Sequence, residues 1–342
     1  MNRMKRTLLI LLLSLALFPS LFGQVAGEGV FNFLQLTTSA KTAALGGIQI
    51  ALPDADPELI LQNPALLSPL MNNTLSVNYA RYLAGIGFGQ GSFAKDLGPY
   101  GVAAIGIQFI DYGQFVATDE TGTITGSFGA SDYALALSYA KSFGTSFTAG
   151  TTVKPIYSHL ENYKSFGLAF DAGLAFHSAD SLTTIGLCIK NIGYQLTTYY
   201  DRGDREKIVW SLQLGYTHQL QHAPLRLSIS AYDLNRWNRT IPVTDPNGIE
   251  AVAPRQSALS NVMRHLSIGV EIFPGSRVNL RFGYNHRRHT DLSVADQTGM
   301  TGFTTGLGIN LTAIHFNYAL SGYFQSGMVH NFSLSANLSR HH

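Results

Sequence analysis

From residue 74 onward the chain alternates apolar with small or polar residues at period two. The alternation falls in segments near 74–82, 85–95, 100–112, 131–141, 146–158, 165–177, 182–192, 207–219, 224–236, 264–273, 277–287, 302–311, 313–323 and 328–338, fourteen in all. Period two marks strands whose two faces meet different surroundings. One face is apolar throughout in several of them, as in Leu75, Val77 and Tyr79, in Tyr133, Leu135, Leu137 and Tyr139, and in Val278, Leu280, Phe282 and Tyr284. The opposite faces carry Ser, Thr, Asn, Gln, Gly and Ala, with Lys154, Asp171 and Lys190 as charged exceptions. No window beyond the N-terminus offers the run of about 18 apolar residues that a spanning helix needs. Lipid leaves unpaired backbone groups without partners, so the remaining way to cross a bilayer is a closed barrel with apolar residues outside. The expected fold is all-β, a transmembrane antiparallel β-barrel of about 14 strands over residues 73–342.

The connections support this independently. With the N-terminus periplasmic, the inner turns near 96–99, 142–145, 178–181, 220–223, 274–276 and Thr312 are short. The long polar stretches 113–130, 192–206, 237–263 and 288–301 all fall outside, the pattern of outer-membrane barrels. A soluble β-sandwich would explain the alternation but not the charge: 13% of residues are charged, against about 25% in soluble domains. A net charge of +2 without a basic patch argues against nucleic-acid binding, and the apolar content argues against disorder. Cys188 is the single cysteine, which excludes an intramolecular disulfide or a multi-thiolate metal site.

Arg3, Lys5 and Arg6 precede the apolar run from Leu8 to Phe18, followed by small residues around Ser20, Gly23 and Ala26. This is the pattern of a cleaved secretory signal peptide, expected over residues 1–23, which exports the chain through the inner membrane, and the barrel is then expected in the cell outer membrane. Residues 24–72 do not alternate and are expected to form a plug in the lumen or a segment beneath the barrel. Ser39 or Thr38 is set to cap a short helix from Ala40 to Leu45, closed by Gly46 and Gly47. Asp56 and Pro57 open a second, stopped at Asn63-Pro64. In the second strand Gly85, Gly87, Gly89 and Gly91 share one face, which would make room for a plug if it pointed inward.

The blocks Phe33-Leu34, Ser39 to Gly47 and Asn63-Pro64-Ala65-Leu66, together with Cys188 to Gly193 and Tyr232 to Asn235, resemble the FadL-like outer-membrane barrels, and within them the PorV/PorQ branch of the Bacteroidetes type IX secretion system. The spacing of the blocks is most similar to the PorQ members. The resemblance marks Ala44, Leu45, Gly46, Gly47, Asn63, Pro64 and Ala65 as family-motif residues of the plug. It implies a non-enzymatic part in an attachment complex, tethering a PorZ-like surface protein, with a PorU-like sortase and a PorV-like shuttle as further partners. The longest outer stretch, 237–263, then becomes the expected docking loop, with Trp237, Arg239, Pro242, Pro246 and Pro254 as its candidate contact residues and prolines that limit its entropy. The competing reading is a FadL-like transporter of hydrophobic small molecules, for which an interrupted strand, such as the one holding Pro155, would be a sign.

No catalytic, cofactor or metal motif stands out. There is no G-x-S-x-G, H-E-x-x-H or Walker loop, and the glycines near residue 87 lack the helix that would hold a pyrophosphate. His286-Arg287-Arg288-His289 reads as a solvated or lipopolysaccharide-facing basic tip rather than a metal site.

Overall fold

The computed structural model describes residues 29–82, 85–200, 203–237, 243–244, 250–251, 258–292, 300–323 and 327–339; the expected signal peptide lies outside them. All fourteen expected strands form: β1 (Thr74–Arg81), β2 (Gly87–Asp96), β3 (Val102–Thr118), β4 (Ile124–Phe143), β5 (Phe147–Leu160), β6 (Tyr163–His177), β7 (Thr183–Thr197), β8 (Ser211–Gln219), β9 (Leu225–Ala231), β10 (Leu266–Ile272), β11 (Val278–Asn285), β12 (Phe303–Asn310), β13 (Ile314–Gly322) and β14 (Met328–Asn337). Each pairs antiparallel with its neighbours in sequence. β1 also pairs with β14, from Thr74↔Asn337 to Arg81↔His330, so the sheet closes into a barrel.

The barrel is inverted relative to a soluble protein. Along β1, Thr74, Ser76, Asn78 and Ala80 are buried in the lumen while Leu75, Val77 and Tyr79 lie exposed outside. Tyr79 sits beside Phe332 and Val77 beside Leu334, and the outward band continues through Tyr318 and Phe332, whose ring centroids are 5.0 Å apart. Such a surface is stable only against lipid. No helix among the described residues is long and apolar enough to cross a membrane.

Three local expectations change. The glycine face of β2 points outward: Phe88, Gln90, Ser92 and Ala94 face the lumen, and a Cβ at Gly87 would lie 2.6 Å from the Tyr79 hydroxyl. Gly89 lies between Tyr79 and Phe109 in the ladder, so Gly87 and Gly89 are roofed by aromatic rings on the lipid side rather than opened toward a plug. Residues 113–130 are not a loop. β3 and β4 run on past the barrel as a two-stranded ribbon, pairing Gln114↔Gly129, Phe115↔Phe128 and Val116↔Ser127. The β-favouring residues there outweigh the interspersed glycines, and a register shift between Asp111 and Gln114 turns the ribbon where the barrel ends. Finally, β11 stops at Asn285, and the basic quartet that follows opens a helix.

Inside the barrel, α1 (Ala40–Ala44) has Ser39 as its N-cap, whose side chain accepts from the Thr42 N–H. Gly46 and Gly47 leave it at φ +93° and +94°, the left-handed region that favours glycine. Two 3-10 turns follow, Pro57–Leu61 capped by the Asp56 side chain and Pro64–Leu66 capped by the Asn63 side chain. α1 packs on β11 to β14, Pro57–Leu61 on β1 to β3, and Pro64–Leu66 on β4 to β6. The segment therefore touches the wall nearly all the way round.

Candidate functional site

Wall glycines accept the plug. A Cβ at Gly150 would stand 2.5 Å from the Pro64 carbonyl carbon, one at Gly306 2.5 Å from Ala44 Cβ, and one at Gly215 2.8 Å from Ile50 Cβ. At Gly173 the side chains of Asn63 and Pro64, and at Gly283 the Leu45-Gly46 backbone with the Thr304 hydroxyl, leave no room for a side chain at all. Asn63 is fully buried and ties three pieces together. Its Nδ2 donates to the Ile50 carbonyl at 2.9 Å and faces the Leu174 carbonyl of β6 at 3.5 Å, while its Oδ1 accepts from Ala65 N–H at 3.0 Å. On the other side Gly46 N–H donates to Thr304 Oγ1 at 3.1 Å, and the Gly46 carbonyl accepts from Asn285 Nδ2 at 3.2 Å. Each bond satisfies a group that burial would otherwise leave costly.

Toward the short-turn end an ionic network locks plug to wall. Arg226, Glu271 and Arg281 lie side by side across β9, β10 and β11. Arg226 grips Asp54 of the plug through two bonds of 3.0 Å, and Lys41 of α1 approaches the same carboxylate at 3.0 Å. Glu271 accepts from Arg226 Nε and Arg281 Nε, each at 2.8 Å. Burial opposes ionisation of Asp54, but the facing Arg226 and Lys41 charges win and hold its carboxyl well below the usual range. A cavity of about 220 Å³ adjoins the network, lined by these residues with Asn279 and His315.

Glu58 behaves oppositely. Burial, then the neighbouring Asp56, pushes its carboxyl well above the usual value of 4.5, although Ser333 donates to it at 2.9 Å. Above pH 4.5 the unfolded chain releases this proton while the folded one keeps it. Seating the plug therefore loses stability as pH rises toward the raised value. Glu58→Gln is expected to remove that loss, so thermal melts at pH 5 and pH 8 should differ less in the variant than in the wild type. An undiminished difference would assign the pH dependence elsewhere.

A second polar cluster backs the wall at β5 to β7. Lys154 Nζ lies 2.5 Å from Asp171 and donates to Asn191 Oδ1 at 2.8 Å, and Asp171 accepts from Asn191 N–H at 2.7 Å. It sits where the β6–β7 register shifts between Phe170 and Ala172. Pro155, one residue along, lacks an N–H, and the β4–β5 ladder skips the two pairs between Ala134↔Ile156 and Leu137↔Val153.

No protein-family model matches the chain, and no curated protein matches it in sequence. Solved structures do match in fold. The TodX monoaromatic hydrocarbon channel deltaS2 mutant superposes with a TM-score of 0.54 at 14% identity, over 90% of this chain and 100% of its own. The Pseudomonas putida toluene transporter TodX gives 0.53 at 14% identity over the same shares, and a Pseudomonas aeruginosa FadL homologue 0.49 at 13%, over 91% and 100%. The fold is a closed fourteen-stranded antiparallel barrel like that of TodX. At this identity the likeness speaks for the fold alone.

Within the barrel the motif residues Ala44, Leu45, Gly46, Gly47, Asn63, Pro64 and Ala65 all lie in the lumen, and most of them make the wall contacts described above. Of the proposed docking residues, Arg239, Pro242, Pro246 and Pro254 lie outside the described residues. Trp237 is half exposed and stacks on His265, with centroids 5.0 Å apart and planes 8° from parallel. The basic quartet departs from the sequence reading. His286–Leu292 is a helix that folds over the lumen, with Arg287 on the Tyr232 ring at 4.3 Å and 2.6 Å from Asp233, and Arg288 on the Tyr323 ring at 4.1 Å. Those guanidiniums are spent on aromatic faces and a buried carboxylate rather than offered to lipid headgroups. Sequence reasoning missed Arg226, Glu271 and Arg281, although a signal was present: each occupies the non-apolar parity of its strand, near the short-turn end. Among the described residues no group of three or more His, Cys, Asp or Glu is placed to hold a metal ion.

Proposed function

We propose that the chain is a non-enzymatic outer-membrane barrel whose lumen is shut and which acts as a surface tether, a PorQ-like component of the type IX attachment complex that holds a PorZ-like partner near a PorU-like sortase and a PorV-like shuttle. The observation that carries the shut lumen is the plug, seated on wall glycines around the circumference and locked by Arg226, Asp54, Lys41, Glu271 and Arg281. The assembly and its partners come from the motif resemblance alone.

A second reading, passage of small hydrophobic molecules, has its own support, and the comparisons favour it over the first. TodX, which shares the fold, is a monoaromatic hydrocarbon channel and toluene transporter. The interrupted ladder at Pro155 and an open apolar cavity of about 410 Å³ lined by Tyr112, Phe115, Phe128, Tyr163 and Tyr200 suit it. Against it, the lumenal cavity of about 220 Å³ toward the short-turn end is lined chiefly by charged and polar residues such as Lys41, Asp54, Arg226, Glu271 and Arg281, and the polar cluster of Lys154 and Asp171 stands behind the interrupted ladder.

One paired experiment separates the two. The tether reading expects no single-channel conductance in planar bilayers, no acceleration of labelled toluene entry into proteoliposomes, and co-isolation of a PorZ-like protein and the sortase from detergent-solubilised outer membranes. Accelerated toluene entry with the barrel isolated alone replaces it by the transport reading.

A further inference from the structure

The docking residues expected in 237–263 lie outside the described residues except Trp237, and the β3–β4 ribbon offers a second surface for the tether reading. The wall partners of both strands end at the barrel rim: β2 pairs with β3 no further than Gly87↔Asp111, and β5 pairs with β4 no further than Ala130↔Leu160, with one more bond from Glu161 N–H to the Gly129 carbonyl. Beyond the rim the ribbon continues for several residues with no further ladder partner on either outer edge among the described residues. Exposed, uncharged edges of this kind are usually blunted by lysine, proline, a bulge or a cover; the ribbon has one such irregularity near its tip, where the register shifts between Ala117 and Thr118. Here residues 112–118 and 124–130 contain no charge and no proline. Beside the β4 edge lies the apolar cavity of about 410 Å³, floored by Leu160 and Tyr163 and walled by Phe115 and Phe128, whose rings stack 5.3 Å apart. Residues 111–130 carry three carboxylates, Asp111, Asp119 and Glu120, and no basic residue, and Glu161 adds a fourth at the cavity rim.

We propose that residues 124–128 of β4 form a docking edge for an extended strand of a partner protein, added to the sheet by backbone hydrogen bonds. Alternate apolar side chains of that strand fill the aromatic cavity, and flanking basic residues answer the acidic ribbon. Five residues of edge give about 17 Å of ladder, and main-chain pairing with side-chain pockets is the logic of strand addition. The inference rests on the tether reading and names its contact.

The probe is a fluorescein-labelled decapeptide of alternating valine or phenylalanine and threonine with lysine at each end, titrated by anisotropy against the full chain in detergent. Two further peptides carry backbone N-methyl groups on one edge or the other. Saturable binding is expected, weakened at least tenfold by methylation of one edge and unchanged by the other. It should be lost when residues 114–129 are replaced by a two-residue turn, with heat-modifiable gel mobility confirming that the barrel still folds. Glu161→Lys should shift preference toward glutamate-ended peptides. Equal binding of both methylated forms, retention by the shortened barrel, or no binding to the folded full chain overturns the proposal. Co-isolation keeps the two readings apart. If the PorZ-like protein is recovered with both the intact and the shortened barrel, the tether stands and the docking edge fails; if it is recovered with neither, the tether itself fails.

Discussion

Arg226→Ala is expected to unseat the plug and turn a silent barrel into a conducting one. The substitution leaves Asp54 with Lys41 alone and Glu271 with Arg281 alone, both carboxylates in a lumen where Glu271 is 2% exposed. Removing one partner of a buried ion pair costs about 3–5 kcal/mol when the other charge is left unpaired, and the cost here falls below that because Lys41 still faces Asp54 and Arg281 still faces Glu271. The lost contact lies between plug and wall, so the penalty falls on seating rather than on the ladders. Planar-bilayer recordings should show single-channel steps absent from the wild type, and limited proteolysis should cut within 40–60 before the barrel is cleaved. Asp54→Ala removes the plug-side partner of the same contact, so the double variant should cost less than the sum of the two singles. A silent, protease-resistant Arg226→Ala barrel would mean that the glycine seats hold the plug without the network.

The glycine seats make the second large prediction. Gly173→Leu places a side chain where Asn63 Oδ1 and the Pro64 ring stand, and neither the buried Asn63 nor the proline can retreat. Overpacking costs about 1–3 kcal/mol where neighbours can relax, occasionally more, and here the displaced group also surrenders the bonds that Asn63 makes. Heat-modifiable gel mobility should show a sharply reduced yield of folded barrel, with the plug of any folded fraction open to protease. Gly91→Ala is the control: it faces outward, and a Cβ there would meet nothing nearer than Ile107 Cγ2 at 3.8 Å, so yield should stay at the wild-type level. If both variants assemble alike, the lumen has slack that the contacts at Gly150 and Gly283 do not suggest.

Strand number, closure and the inverted faces were legible because period two is a local property. Leu75, Val77 and Tyr79 declare their face whatever the rest of the chain does. The caps were legible for the same reason, since Ser39 and Asp56 act on backbone groups two or three residues away. The direction of the β2 glycines was not. Parity says that Gly87, Gly89 and Gly91 share a face, but which face holds them depends on the rings of Tyr79 and Phe109 on neighbouring strands. The ribbon was misread because its glycines and threonines look like loop when each strand is considered without the other.

Taken alone, then, the sequence determined that this chain is a lipid-facing antiparallel barrel with a non-alternating N-terminal segment, since hydropathy period and capping chemistry are written over a few residues each. Only the tertiary structure decided that the segment fills the lumen and is clamped there. Asp54 and Arg226 are separated by 172 positions, and Thr304 and Gly46 by 258. Contacts that distant are set by closure of the sheet, which brings the inward parity of β9, β10 and β11 around a plug whose own residues carry no periodic sign of where they will sit.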